Sequence, residues 1–248
     1  MPLLSKLRHY IGLSSLKESD PAAAYDIWSS SYDSQPDNLM LALDEELAGH
    51  LLALSPVTAG VIADVGCGTG RHWAKLFARH PVRLIGFDVS PGMLKRLATK
   101  YPHAETRLVG DHILPGLDDS SCDLVLSTLT VAHLPDLPAA LGEWNRVLKP
   151  GGEMIITDYH PSALAKGGQR TFREGQRTIA VRNHVYPIRQ VRRLARQLGL
   201  TELNLIEKKI DDSMRSYYEK QNALPIFDRF RGVPIIYGLH LKKPDAAE

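Results

Sequence analysis

The chain has 248 residues, 44% of them hydrophobic and 23% charged, with 30 Lys and Arg against 28 Asp and Glu. That size and balance suit one α/β domain with a cap, and a formal charge of +2 is too small for nucleic-acid binding driven by overall charge. No run approaches the ~18 apolar residues of a membrane-spanning helix. The two cysteines, Cys67 and Cys122, stand in no metal-ligand spacing. With no signal-peptide pattern at the start, they fit a cytoplasmic location.

Residues 1-58 read as an N-terminal helical cap. Leu3, Leu4, Leu7 and Ile11 share one helical face, with Lys6 and Arg8 off it. The segment is too weakly basic for a transit peptide, so a short helix folded onto the domain is preferred to a membrane-surface helix. Asp20-Pro21 is a helix start, an Asp cap followed by Pro at the first helical position. The helix it opens carries Tyr25, Trp28 and Tyr32 at spacings of three and four. Such a stripe serves either a core or a ligand pocket. A second helix spans about Asp37 to Leu54.

Residues 59-160 alternate strand, helix and strand, the pattern of a doubly wound parallel sheet. Val61 to Val65 is an apolar, β-branched strand that breaks into Gly66-Cys67-Gly68-Thr69-Gly70. Glycine weakens a strand, so these residues point to a tight turn and a closely approaching ligand. A helix from about Arg71 to Arg79 follows, and a strand-to-helix turn is where such sheets bind ligands. A dinucleotide fingerprint needs Gly-x-Gly-x-x-Gly; this loop is Gly-x-Gly-x-Gly, with Asp64 two residues before it. A second strand ends at Asp88, about 20 positions on, where an acid can accept from both ribose hydroxyls. Ser90-Pro91 caps the next helix. A third strand, about Glu105 to Val109, leads into Gly110-Asp111-His112. A fourth, about Leu124 to Leu126, ends at Ser127 and Thr128. Helix Leu137 to Leu148 stops at Lys149-Pro150-Gly151-Gly152, and strand five covers Glu153 to Tyr159.

Asp64-x-Gly66-x-Gly68-x-Gly70 resembles motif I of the class I S-adenosylmethionine-dependent methyltransferases. Glu143 to Gly152 resembles the block before strand five of that superfamily, and Tyr25-Asp26-Ile27-Trp28 to Tyr32-Asp33 resembles the N-terminal segment of its small-molecule members. The resemblance is similar to the quinone-biosynthesis type and covers residues 20 to 243, strongly over 61 to 160. It implies a seven-stranded sheet with the last strand antiparallel, helices on both faces and S-adenosylmethionine as cofactor. The implied cofactor residues are Asp64, Gly66, Cys67, Gly68, Gly70, Asp88, Val89, Asp111, His112 and Ser127, with Asp111 accepting from the adenine amino group. Tyr25, Trp28 and Tyr32 would then overlie the cofactor and line the acceptor pocket.

Residues 161-186 read as a lid insertion after strand five. Thr171-Phe172 and Arg177 to Val181 flank a Gly-containing turn, a hairpin pattern. His133, His160 and His184 are candidates for a general base, and they are expected to converge with Tyr25, Trp28, Tyr159 and Tyr186. Each histidine has a bland alternative; His133, for one, would order its loop. A three-His metal site lacks the helical spacing and a companion acid, so no metal is expected. Residues 187-248 complete the same α/β domain, with a strand at Leu203 to Ile210, a helix at about Asp212 to Lys220 and a final strand at Ile235 to Leu241. From Lys166 to Lys209 there are eleven Lys or Arg against three Glu. Ile188, Val191, Leu194, Ala195 and Leu198 form an apolar helical stripe with four arginines off it, a solvated face. Arg170, Arg173 and Arg177 on the lid are not explained that way, and one of them is a candidate contact for a substrate carboxylate or phosphate.

The expected activity is methyl transfer from S-adenosylmethionine to a small-molecule acceptor by in-line displacement. Alternatives are a silent S-adenosylmethionine-binding protein, an RNA methyltransferase using the basic segment, and an NAD-dependent oxidoreductase.

Overall fold

The computed structural model describes residues 18–246 except Pro36 and Gln176. The amphipathic segment read at Leu3 to Ile11 lies outside these. The elements in chain order begin with β1 (Glu18–Ser19), α1 (Pro21–Trp28), α2 (Leu39–Leu54) and β2 (Val61–Val65). They continue with α3 (Trp73–Phe77), β3 (Arg83–Asp88), α4 (Pro91–Lys100), β4 (Glu105–Leu108), β5 (Cys122–Thr128) and α5 (Leu137–Val147). After β6 (Leu148–Tyr159) come α6 (Pro161–Ala165), β7 (Thr171–Glu174), β8 (Arg177–Val181), α7 (Ile188–Gln197) and β9 (Thr201–Lys209). The chain closes with α8 (Arg215–Lys220), α9 (Leu224–Phe230) and β10 (Pro234–Lys242).

The main sheet has seven strands in the order β4-β3-β2-β5-β6-β10-β9. β10 runs antiparallel to both neighbours and the rest are parallel. Order reverses between β2 and β5, so the ends of β2, β3 and β5 meet at one crevice. Period-two alternation assigns the two cores. Ile62, Leu84, Leu124 and Ile155 face α2, α3 and α4 through Leu51, Leu76 and Leu97. Ala63, Ile85, Val125 and Met154 face α5 and α7 through Leu141, Trp144 and Val191.

Most boundaries follow the sequence reading. β6 starts at Leu148 rather than Glu153, because Leu148 pairs with Cys122 before a register shift lets Glu153 pair with Leu124. The helix expected over Arg71 to Arg79 is regular only from Trp73 to Phe77. Helices α6 and α9 were not anticipated. Nor was β1, which pairs in parallel with β8 and makes the hairpin β7–β8 a three-stranded sheet. The α1 face packs onto it, burying Ala24, Trp28, Phe172 and Val181 in a small core of their own. Cap and hairpin are therefore one packed unit over the C-terminal edge of the main sheet. Among the described residues no helix is long and apolar enough to cross a membrane.

Candidate active site

The glycine loop is built by left-handed backbone. Gly66, Gly68 and Gly70 have φ of 72°, 53° and 71°, a region that side chains with Cβ rarely adopt. A Cβ on Gly66 would meet the Thr130 side chain, whereas one on Gly68 or Gly110 would stand in open space. The loop is anchored from below: Gly66 and Cys67 N–H donate to the Phe87 carbonyl at 2.7 and 3.0 Å. Asp88, nearly buried at the end of β3, accepts from Gly68 N–H and Ser90 N–H, each at 2.8 Å. Each carboxylate oxygen has two lone pairs, so both keep acceptor capacity for a ligand hydroxyl. Val89 is exposed beside it. Asp111 is exposed and accepts from Ile113 N–H at 2.9 Å, which orders the turn holding the half-exposed His112. Ser127 is fully buried, and its Oγ has no hydrogen-bond partner among the described residues. The glycine cradle, the strand-end acid and this orphan hydroxyl suit a nucleoside with a polar tail.

Asp64 and Cys67 are turned inward. Asp64 is buried and accepts from the Trp73 indole N–H at 2.8 Å. Burial pushes its carboxyl up to about 7 against the pull of that bond, and the Asp88 charge adds to the rise. Burial likewise pushes the Cys67 thiol well up.

The cap reaches the cradle through residues that were not singled out as ligands. Asp26 Oδ1 accepts from Gly92 N–H at 2.6 Å and from Ser90 Oγ at 3.3 Å, at the N-terminus of α4. Asp33 accepts from Thr69 Oγ1 at 2.7 Å and from Lys100 at 3.0 Å. Beneath the cap, Asp44 lies in the apolar stripe of α2, fully buried. It bonds Arg71, Thr157 and, at 2.9 Å, His72. Burial raises its carboxyl, but His72, Arg71 and Thr157 together bring it down to about 2.

The acceptor side centres on Arg170, buried at the foot of the hairpin. Its Nη1 donates to Tyr25 Oη at 2.7 Å, to the Leu129 carbonyl at 2.6 Å and to His133 Nε2. Nη2 donates to Asp158 Oδ1 at 3.2 Å, and the guanidinium stacks over Tyr159 at 4.7 Å. Asp158 is held in turn by Ala132 and Tyr159 N–H, both at 2.6 Å. His133 Nδ1 sits 2.9 Å from the Arg182 carbonyl, which can only accept, so the ring proton is on Nδ1. The Nε2 lone pair then faces Tyr25 Oη at 2.9 Å and Arg170. Burial, with the Arg170 charge adding to it, holds His133 well below its ordinary pKa. It is a neutral acceptor.

The aromatic residues of the cap do assemble here. Tyr25, Trp28 and Tyr32 pack on one another, and Trp28 stacks on Phe172 at 4.7 Å. The three histidines have separate hydrogen-bond partners, and His184 lies near enough to His133 to help depress its pKa. His160 caps α6 by accepting from Ser162 N–H at 3.1 Å and donates through Nε2 to Glu207 at 2.6 Å. His184 stacks on Tyr186, whose hydroxyl donates to the Leu134 carbonyl at 2.6 Å. Among the described residues no group of three His, Cys, Asp or Glu is placed to hold a metal. Asp158 and Asp44 were missed as site residues, and Arg170 was noted only as one of three lid arginines outside the solvated helix face. An acid inside the Met40, Leu43, Leu47, Leu51 stripe was the one available signal for Asp44.

Fold and glycine cradle together define the class I S-adenosylmethionine-dependent methyltransferases, and known proteins agree. Residues 63–156 match the family described as "Methyltransferase domain", and the chain belongs to that class. It is 31% identical over 175 residues to a malonyl-[acyl-carrier protein] O-methyltransferase of Serratia marcescens, covering 69% of this chain and 64% of that protein. A protein of the same name from Yersinia pestis is 34% identical, covering 68% and 61%. The chain thus spans less than two thirds of the length of these relatives. Among solved structures, geranyl diphosphate C-methyltransferase of Streptomyces coelicolor, in complex with S-adenosyl-L-homocysteine, superposes with a TM-score of 0.62 at 14% identity, covering 98% of this chain and 99% of that one. At that identity the likeness speaks for the fold.

Proposed function

We propose that the chain is an S-adenosylmethionine-dependent methyltransferase, and that its acceptor is a small-molecule carboxylate presented as a malonyl thioester on a carrier protein. Gly66, Gly68, Gly70, Asp88, Val89, Asp111, His112 and Ser127 would hold the donor, whose sulfonium supplies a methyl group that needs no further activation. This chain's residues then orient the acceptor and exclude water, which can account for most of the rate.

One observation carries the choice of acceptor. The His133 lone pair is engaged by Tyr25 and Arg170, and His160 is tied to Glu207. Burial pushes the phenols of Tyr25, Tyr32 and Tyr159 up, so they too are poor bases at neutral pH. A phenol or ammonium acceptor would have to lose a proton here; a carboxylate is a ready nucleophile near pH 7. Arg170 is already paired with Asp158, so it would orient such a carboxylate through a remaining N–H rather than neutralise it, and the names of the relatives agree with such an acceptor.

The test is transfer of a radiolabelled methyl group to malonyl-carrier protein and to the carrier-free malonyl thioester of N-acetylcysteamine, beside a phenol and an amine. Base-labile ester label on malonyl, with a rate flat between about pH 6 and pH 8, is expected. Label on the phenol or amine and none on malonyl would overturn the reading, and donor binding without any transfer would leave a silent binding protein.

A further inference from the structure

Charge is segregated along this chain. From Lys166 to Arg196 there are nine Lys or Arg and one Glu, in a sequence that totals 30 against 28, so the remainder is net acidic. Arg170 is buried, Arg182 pairs with Asp20 at 3.6 Å and Arg192 with Glu202 at 2.6 Å. Arg173 and Arg177 on the hairpin, and Arg189, Arg193 and Arg196 on α7, are exposed and have no acidic partner among the described residues.

Helix α7 is not built for its own stability. Its cap residue is Pro187, which makes no side-chain cap, and no acid lies in the first turn. Arg189 sits there instead, against the positive end of the helix dipole. Arg189 and Arg193, like Arg192 and Arg196, are like-charge pairs at i,i+4, which destabilise a helix. A face kept only for solubility intersperses both signs; this one does not. Its cation is arginine throughout, the basic residue enriched at protein interfaces, where lysine is depleted. The start of α7 also lies on the acceptor side. The segment leading into it donates from His184 N–H to the Ala132 carbonyl at 2.7 Å, and its Arg182 carbonyl accepts from His133.

We infer that the arginine face of α7 docks an acidic protein: the carrier that delivers the acceptor thioester. The inference rests on the acceptor reading above. Single-stranded RNA is the weaker fit, because its binders interleave aromatic platforms with the basic residues. Among the described residues of this stretch the only large exposed apolar side chain is Val185.

Fluorescence anisotropy of labelled malonyl-carrier protein, at about 50 and 300 mM salt, tests it on the wild type and on an Arg189→Glu, Arg193→Glu, Arg196→Glu triple variant. Poly(U) serves as a parallel probe. The variant is expected to raise the carrier Kd about tenfold or more, salt to weaken wild-type binding, and the stabilisation by S-adenosylhomocysteine to stay unchanged. Equal Kd values, no carrier binding by the wild type, or binding of poly(U) in its place would overturn the proposal. Activity separates the two readings: methylation of the N-acetylcysteamine thioester should be unaffected in the variant while KM for the carrier substrate rises. Carrier binding that the variant loses, without label on either thioester, would keep the docking face and reject the malonyl acceptor.

Discussion

Asp64 is a carboxyl held where its charge is unfavourable. Its folded pKa, about 7, stands above the value of an unfolded aspartate. The native state therefore binds more protons than the unfolded state between about pH 4 and pH 7. The stability associated with Asp64 is full below that window and lost as pH rises through it. Asp64→Asn keeps an oxygen for the Trp73 indole and removes the charge. It is predicted to flatten that pH dependence and to raise Tm at pH 8 by a few degrees, by calorimetry. Arg170 presents the opposite case, a buried cation already paired. Arg170→Met strands Asp158 as an uncompensated charge, which costs about 3–5 kcal/mol. Adding Asp158→Asn should recover much of that loss in urea unfolding; no recovery would show that the pair is not coupled as described.

At the scale of elements, the cap and hairpin form one unit latched to the donor cradle at Asp26 and Asp33. Asp26 meets the N-terminus of α4, where a carboxylate both caps N–H groups and faces the helix dipole. Asp26→Ala is predicted to cost about 1–2 kcal/mol locally. It should speed amide exchange in α1 and β8 more than in β2, and raise the dissociation rate of S-adenosylhomocysteine several-fold. Unchanged exchange in α1 would place the latch elsewhere. None of this was readable from Tyr25 to Tyr32. Their spacing announced an aromatic stripe, but its partners, Phe172 and Arg170, lie some 140 residues away. Spacing cannot report such a contact.

For the whole molecule, the parts legible in advance were those whose signal is local. Val61 to Gly70 spelled out its own strand, turn and conformational need. The placement of Asp88 at the end of β3, beside the glycine loop, followed because successive parallel strands end on one edge. The final strand was legible through resemblance, and β10 indeed runs antiparallel between β6 and β9. Histidine roles were not legible. Each depends on which ring nitrogen a distant group engages: Arg170 donates to Nε2 of His133, and Glu207 accepts from Nε2 of His160. The central claim is that the cradle formed by Gly66, Gly68, Gly70 and Asp88 takes a methyl donor rather than a dinucleotide. Thermal unfolding with S-adenosylmethionine and with NADH, each at about a hundredfold its Kd or at a common high concentration, tests it directly. A ligand at that excess adds about 2.7 kcal/mol, so Tm should rise by about 5–10 °C with S-adenosylmethionine and stay put with NADH. A rise with NADH and none with S-adenosylmethionine would contradict the account.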